Sequence, residues 1–170
     1  MSRPDLTRVT PFYHKYIELV PEEDLTEAFH TNSKAFFDAV RRIPVDKQEY
    51  RYAEGKWTIK EILQHLIDAE RVFSYRALCF ARKDSKELPG FDENEYAARS
   101  KANNRNWSDL LNEFITLRSA TQYLFHSFDD DQLDAAGVSG GGMSNYVLGI
   151  GFIILGHCNH HLKIIEERYL

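Results

Sequence analysis

A chain of 170 residues, 43% hydrophobic and 13% aromatic, has enough apolar mass for one ordinary domain core and is not a disordered chain. Its net charge of −5, from 21 basic and 26 acidic residues, argues against a nucleic-acid partner, because phosphate binding wants a basic stripe. The longest apolar run, Val147 to Gly156, is too short to cross a bilayer, and the start Met1-Ser2-Arg3-Pro4-Asp5 lacks a hydrophobic leader, so the expectation is a soluble cytoplasmic protein without a membrane partner.

Residues 1–21 hold Pro4, Pro11 and the run Phe12-Tyr13-His14-Lys15-Tyr16. They read as an N-terminal arm or short helix packed on the body, with His14 exposed. Residues 22–170 read as a single domain. Its first long helix, placed at 22–43, opens at Pro21-Glu22-Glu23-Asp24, where acids suit the positive end of the helix dipole. Leu25, Phe29, Asn32, Phe36, Val40 and Ile43 recur at steps of four and three, the signature of a core-facing stripe. Asn32, its polar member, is either a satisfied buried amide or a substrate contact.

A second helix is placed at 58–82, with Thr58 as N-cap and Glu61 as its capping-box partner. Ile62, Leu66, Ala69, Phe73 and Phe80 form its stripe. His65 sits on the edge of that stripe, about 40° from Ala69. Alone it reads as structural, and it gains meaning only if the fold brings it to other histidines. Arg76, about 20° from His65 but three turns on, is a candidate anion contact for a carboxylate-bearing substrate. Glu61, Asp68 and Glu70 read as a solvated face rather than as a general base.

Residues 83–107 form a long crossover, with a turn at Leu88-Pro89-Gly90-Phe91-Asp92 and a short helix between Asp92 and Ser100. Such a crossover lets two consecutive long helices run parallel. The third long helix is placed at 108–128 with Ser108 as N-cap. Its stripe is Leu110, Phe114, Leu117, Thr121, Leu124 and Phe128, and Thr121 could reach a neighbouring carbonyl or the site. Asp129-Asp130-Asp131 lacks the glycine and closing glutamate of a calcium loop. Gly140-Gly141-Gly142 lacks the Lys-Ser/Thr of a phosphate loop, and leads to Ser144 as cap of a fourth helix at 144–168. Strand-like alternation is nearly absent. The fold class is therefore all-α, a four-helix bundle with one long crossover. Cys79 and Cys158 fall inside helices, so no disulfide framework is expected.

The fourth helix carries Gly156-His157-Cys158-Asn159-His160-His161. At about 100° per residue, His161 lies about 40° from His157, and Val147, Ile150, Ile153, Ile154 and Ile164 fall within roughly 80° of it. Both imidazoles thus point into the core, where unpartnered polar nitrogens cost on the order of 1–3 kcal/mol each. A divalent metal would satisfy them, since histidines at i and i+4 present two nitrogens to one point. Hydrogen bonds to Tyr or Thr across the core would also do so. His160 falls about 60° to one side and Cys158 about 100° to the other.

Trp57-Thr58-Ile59-Lys60-Glu61-Ile62-Leu63-Gln64-His65-Leu66, the glycine loop and the histidine run of the fourth helix together resemble the DinB-like, or YfiT-like, superfamily of metal-dependent hydrolases and thiol S-transferases. The resemblance covers roughly residues 22–170. It implies a bundle in which one histidine of the second helix and an i, i+4 pair of the fourth meet at a divalent metal. Carried onto this sequence, the ligands are His65, His157 and His161, with His160 outside the set. It also implies a small-molecule substrate, with a low-molecular-weight thiol among the candidates. A homodimer is a further expectation. Three imidazoles without a carboxylate leave a coordination position open, which suits a catalytic ion, and zinc, nickel and iron all accept imidazole. Such an ion can acidify water for hydrolysis or hold a thiol as thiolate. The competing expectation is a non-catalytic metal- or ligand-binding stress-response bundle.

Overall fold

The computed structural model describes residues 3–170; Met1 and Ser2, which belong to the expected N-terminal arm, lie outside the described residues. Two 3-10 turns, at Leu6–Arg8 and Pro11–Tyr13, lead into the short α1, His14–Ile17. Next come α2, Leu25–Val40, and α3, Ile59–Ala81. The crossover carries α4, Glu93–Arg99, capped by Asp92. Then follow α5, Trp107–His126, the one-turn α6, Asp130–Asp134, the strands β1, Ala136–Ser139, and β2, Met143–Tyr146, and finally α7, Val147–Arg168.

The long helices α2, α3, α5 and α7 form the four-helix bundle. Helix α3 packs on α5 and α7, and α2 packs on the same two, so α2 and α3 face each other across the diagonal. The stripes foreseen on α2 and α3 are buried throughout, from Leu25 to Ile43 and from Ile62 to Phe80. Thr58 accepts from the Glu61 amide, and the Glu61 carboxylate accepts from the Thr58 amide. No helix among the described residues is long and apolar enough to cross a membrane.

Three helix starts differ from the sequence reading. Helix α2 begins at Leu25 because Asp24 takes the N-cap and its carboxylate accepts from the Thr26 and Glu27 amides. Helix α5 begins at Trp107, with Asn106 rather than Ser108 in the cap position. Ser144 does not cap α7. The glycines 140, 141 and 142 all adopt positive φ and reverse the chain, so Met143–Tyr146 pairs antiparallel with Ala136–Ser139. A four-residue strand is too short to show alternation. The hairpin is tied to the crossover: the Leu88 amide donates to the Val138 carbonyl and the Gly140 amide to the Leu88 carbonyl.

The core divides into two apolar halves. One is built around Phe29, Phe73, Phe125 and Phe152, the other around Phe36, Leu63, Phe114 and Ile165. Between them runs a polar layer. Arg118, 1% exposed, donates through Nε and Nη2 to Glu70, through Nη1 to Asn32 and through Nη2 to the Cys158 sulfur. The Asn32 amide donates in turn to Asn159 and to the Leu155 carbonyl. Glu70, expected on a solvated face, is thus a buried member of an ion pair that joins α3 to α5. Burial of both charges is tolerated because each lobe of the fork meets an acceptor.

Candidate metal centre

The capping box fixes the start of α3, and from there the helical period turns His65 toward α7. On α7, His157 and His161 stand one turn apart on the same face. Their Nε2 atoms converge: His65 to His157 is 3.1 Å and His161 to His157 is 3.1 Å. All three side chains are buried, at 6%, 9% and 9% exposure. Among the described residues, no carboxylate or thiol joins the group.

Neighbouring rings hold these imidazoles. The Trp57 ring leans on His65 at 4.8 Å between centroids and stacks over His161 at 6.4 Å. Tyr16 meets His157 and His160 edge-on, each at 5.3 Å. Tyr16 reaches His157 because α1 presses directly on Gly156.

The donor set fits a cation. A neutral imidazole nitrogen either donates one proton or accepts one. His157 Nε2 faces two nitrogens at 3.1 Å, so hydrogen bonding satisfies one of these contacts at most, whereas an ion between the three satisfies all of them. Nitrogens about 2.1 Å from one ion stand about 3.0 Å apart at a right angle and about 3.4 Å apart at a tetrahedral angle. The observed spacing lies between. Burial holds the His65 imidazole down at about 4, and burial, then the neighbouring imidazoles, pushes His157 and His161 well below the ordinary value. The rings are therefore neutral at pH 7, the charge state that ligation requires.

The cluster forms part of the wall of a cavity of about 480 Å³, within the size range of small-molecule sites. Tyr16, Phe73 and Phe91 give it aromatic walls, and Gly90 and Gly140 bring the crossover and the hairpin to its rim. Arg76 lines it too. Asn32 and Thr121 do not: Asn32 is spent in the polar layer, and Thr121 Oγ1 pairs with Ser74 Oγ at 3.2 Å. His160 is half-buried against Tyr16 and lies outside the three-histidine group. His14, expected to be exposed, is half-buried with Nε2 2.8 Å from the Val9 carbonyl oxygen.

Sequence reasoning missed Trp57, Tyr16, Phe73 and Glu93 as walls of the site. Trp57 stands immediately before the capping box, which was a usable signal. Glu93 opens α4, and only the folded crossover brings it to the cavity.

Residues 28–165 match the DinB superfamily. The chain belongs to that family. No curated protein matches it. Among solved structures this DinB protein is similar to YfiT from Bacillus subtilis, described as "a probable metal-dependent hydrolase with an unusual four-helix bundle topology". The TM-score is 0.71 at 17% identity, over 98% of this chain and 91% of that one. It is also similar to a mycothiol-dependent maleylpyruvate isomerase, with a TM-score of 0.67 at 10% identity, over 89% of this chain and 59% of the other. At such identities the likeness is one of fold.

Proposed function

We propose that this DinB-superfamily protein is a metal-dependent enzyme that transforms a small molecule, with His65, His157 and His161 holding one divalent ion such as zinc, nickel or iron. The observation that carries the reading is the convergence of three buried imidazoles on the wall of a cavity of about 480 Å³. A divalent ion there supplies a Lewis acid that lowers the pKa of a coordinated water or thiol.

Neither cysteine offers a nucleophile to the cavity. Cys158 Sγ faces Arg118 inside the polar layer, and burial pushes its thiol up to about 11. Cys79 is buried and does not line the cavity. In this reading the nucleophile comes from outside, as water in a hydrolase or as a low-molecular-weight thiol in an S-transferase. The two similar structures, one described as a probable metal-dependent hydrolase and one as mycothiol-dependent, support these two forms. Trp57 and Tyr16 orient the imidazoles, and Phe73 and Phe91 keep water from the substrate body. Glu93, on the rim, is the one carboxylate among the described residues that lines the cavity.

Metal analysis of the purified protein, followed by assays on ester and amide substrates and on thiol-plus-electrophile pairs, tests the proposal. The expected result is about one divalent ion per chain and a turnover that chelation abolishes. Bound metal with no turnover across both panels would favour a non-catalytic ligand-binding bundle.

A further inference from the structure

Three basic side chains of the described residues are buried: Lys60, Arg76 and Arg118. Lys60 Nζ meets a Glu49 carboxylate oxygen at 2.6 Å, and Arg118 meets Glu70 at 2.8 Å. Arg76, 4% exposed, forms no ion pair among the described residues. One donor, Nη2, is spent on the Pro89 carbonyl at 3.0 Å, and its buried Nε has no hydrogen-bond partner among the described residues. A buried cation without a counter-charge is costly, and an orphaned guanidinium donor adds to that cost.

Its position gives the unpaired guanidinium a use. Arg76 lines the same cavity as the histidine cluster. Phe73 spans the two, its ring 6.3 Å from His157 between centroids and 5.7 Å from the Arg76 guanidinium carbon. A molecule that touches both therefore lies along one phenyl ring. Tyr13, whose hydroxyl feels the Arg76 charge, walls the same end. Among the described residues the one carboxylate lining the cavity, Glu93, is solvent-exposed and unpaired with Arg76, so none of them supplies the anion that complements the guanidinium.

We propose that Arg76 is the carboxylate anchor of this cavity: it takes the acid group of an organic acid whose apolar body crosses Phe73 and whose reactive end lies at His65, His157 and His161. The location of the reactive end rests on the metal-enzyme reading; the anchor itself does not. A guanidinium fork suits a carboxylate because two N–H groups meet two oxygens in one plane.

The probe is 3-phenylpropanoate, with 3-phenylpropanamide as its uncharged twin. Both are titrated into 15N-labelled protein stripped of metal, so that an ion cannot hold the acid. The Nε–H resonance of Arg76 is expected to shift with the acid and to stay in place with the amide. The acid is also expected to raise the melting temperature of the metal-free protein, and Arg76→Gln to weaken its binding at least tenfold, while Arg76→Lys keeps part of it. Arg76→Gln is expected to retain the metal of the untreated protein, so failure of the anchor and failure of the metal centre read out separately. An unmoved Nε–H resonance at saturating acid overturns the proposal. So does acid binding that survives Arg76→Gln, or that requires the metal. Should Arg76→Gln fail to fold, the resonance titration on the unmutated protein decides alone.

Discussion

Gly156 lies so close beneath Tyr16 that a Cβ on residue 156 would stand 1.9 Å from the Tyr16 carbonyl oxygen. This contact lets α1 ride directly on α7 and sets the Tyr16 ring against His157. The substitution Gly156→Ala must push α1 outward, because backbone cannot rotate away as a flexible side chain can. Overpacking of this kind costs about 1–3 kcal/mol. The melting temperature of the variant is expected to fall by about 2–12 °C, measured by calorimetry. An unchanged melting temperature would mean that α1 slides freely over the bundle.

The cluster geometry separates the adjacent histidines 160 and 161. His161→Ala removes a converging nitrogen and is expected to lose most of the bound metal while the helices persist by circular dichroism. His160→Ala, which removes a half-buried ring packed on Tyr16, is expected to keep most of it. Metal content of the two purified variants is the measurement, and equal loss in both would contradict a three-histidine site.

Arg118 and Glu70 are each 2% exposed at the side chain. Arg118→Met leaves the Glu70 charge buried without its partner, at an expected 3–5 kcal/mol of stability. The double change Arg118→Met, Glu70→Leu removes both charges and is expected to recover a good part of that loss. Urea unfolding of the single and double variants checks this, and a single variant as stable as the parent would show that water reaches the pair.

Acid should act through the imidazoles. An unfolded histidine titrates near 6.5, whereas folded His65 is held down at about 4 by burial. Between these values the unfolded chain binds more protons, so stability rises with pH. The contribution is fully present above about 6.5 and is lost as pH falls toward 4. Stabilisation by bound metal fades over the same window, because protons compete for the same nitrogens. A chelator is therefore expected to lower the melting temperature of metal-loaded protein at pH 7.5 and to change it little at pH 5. Equal melting temperatures with and without chelator at pH 7.5 would show that no ion is coupled to the bundle.

The parts of this fold that follow a period were legible in the sequence. The α2 stripe from Leu25 to Ile43 repeats every turn, and the i, i+4 spacing of His157 and His161 puts both on one face whatever surrounds them. Interactions distant along the chain were not legible. Glu70 beside Ala69 looks like any solvated acid until Arg118, on another helix, is placed opposite it. The meeting of His65 with His157 and His161 came from the resemblance to the DinB-like bundle, not from any period of α3. The hairpin was hidden for a different reason: its strands are four residues each, and the three glycines that turn it have no side chains to form a pattern.

Both thiols of the chain are buried, and neither lines the cavity in which a reactive thiol or electrophile would be handled. Disulfide exchange needs an accessible thiolate, and Cys158 has neither the exposure nor the acidity. An oxidised small thiol entering the cavity would therefore meet no protein sulfur with which to form a mixed disulfide. The proposed centre would in this way be spared S-thiolation of its own walls.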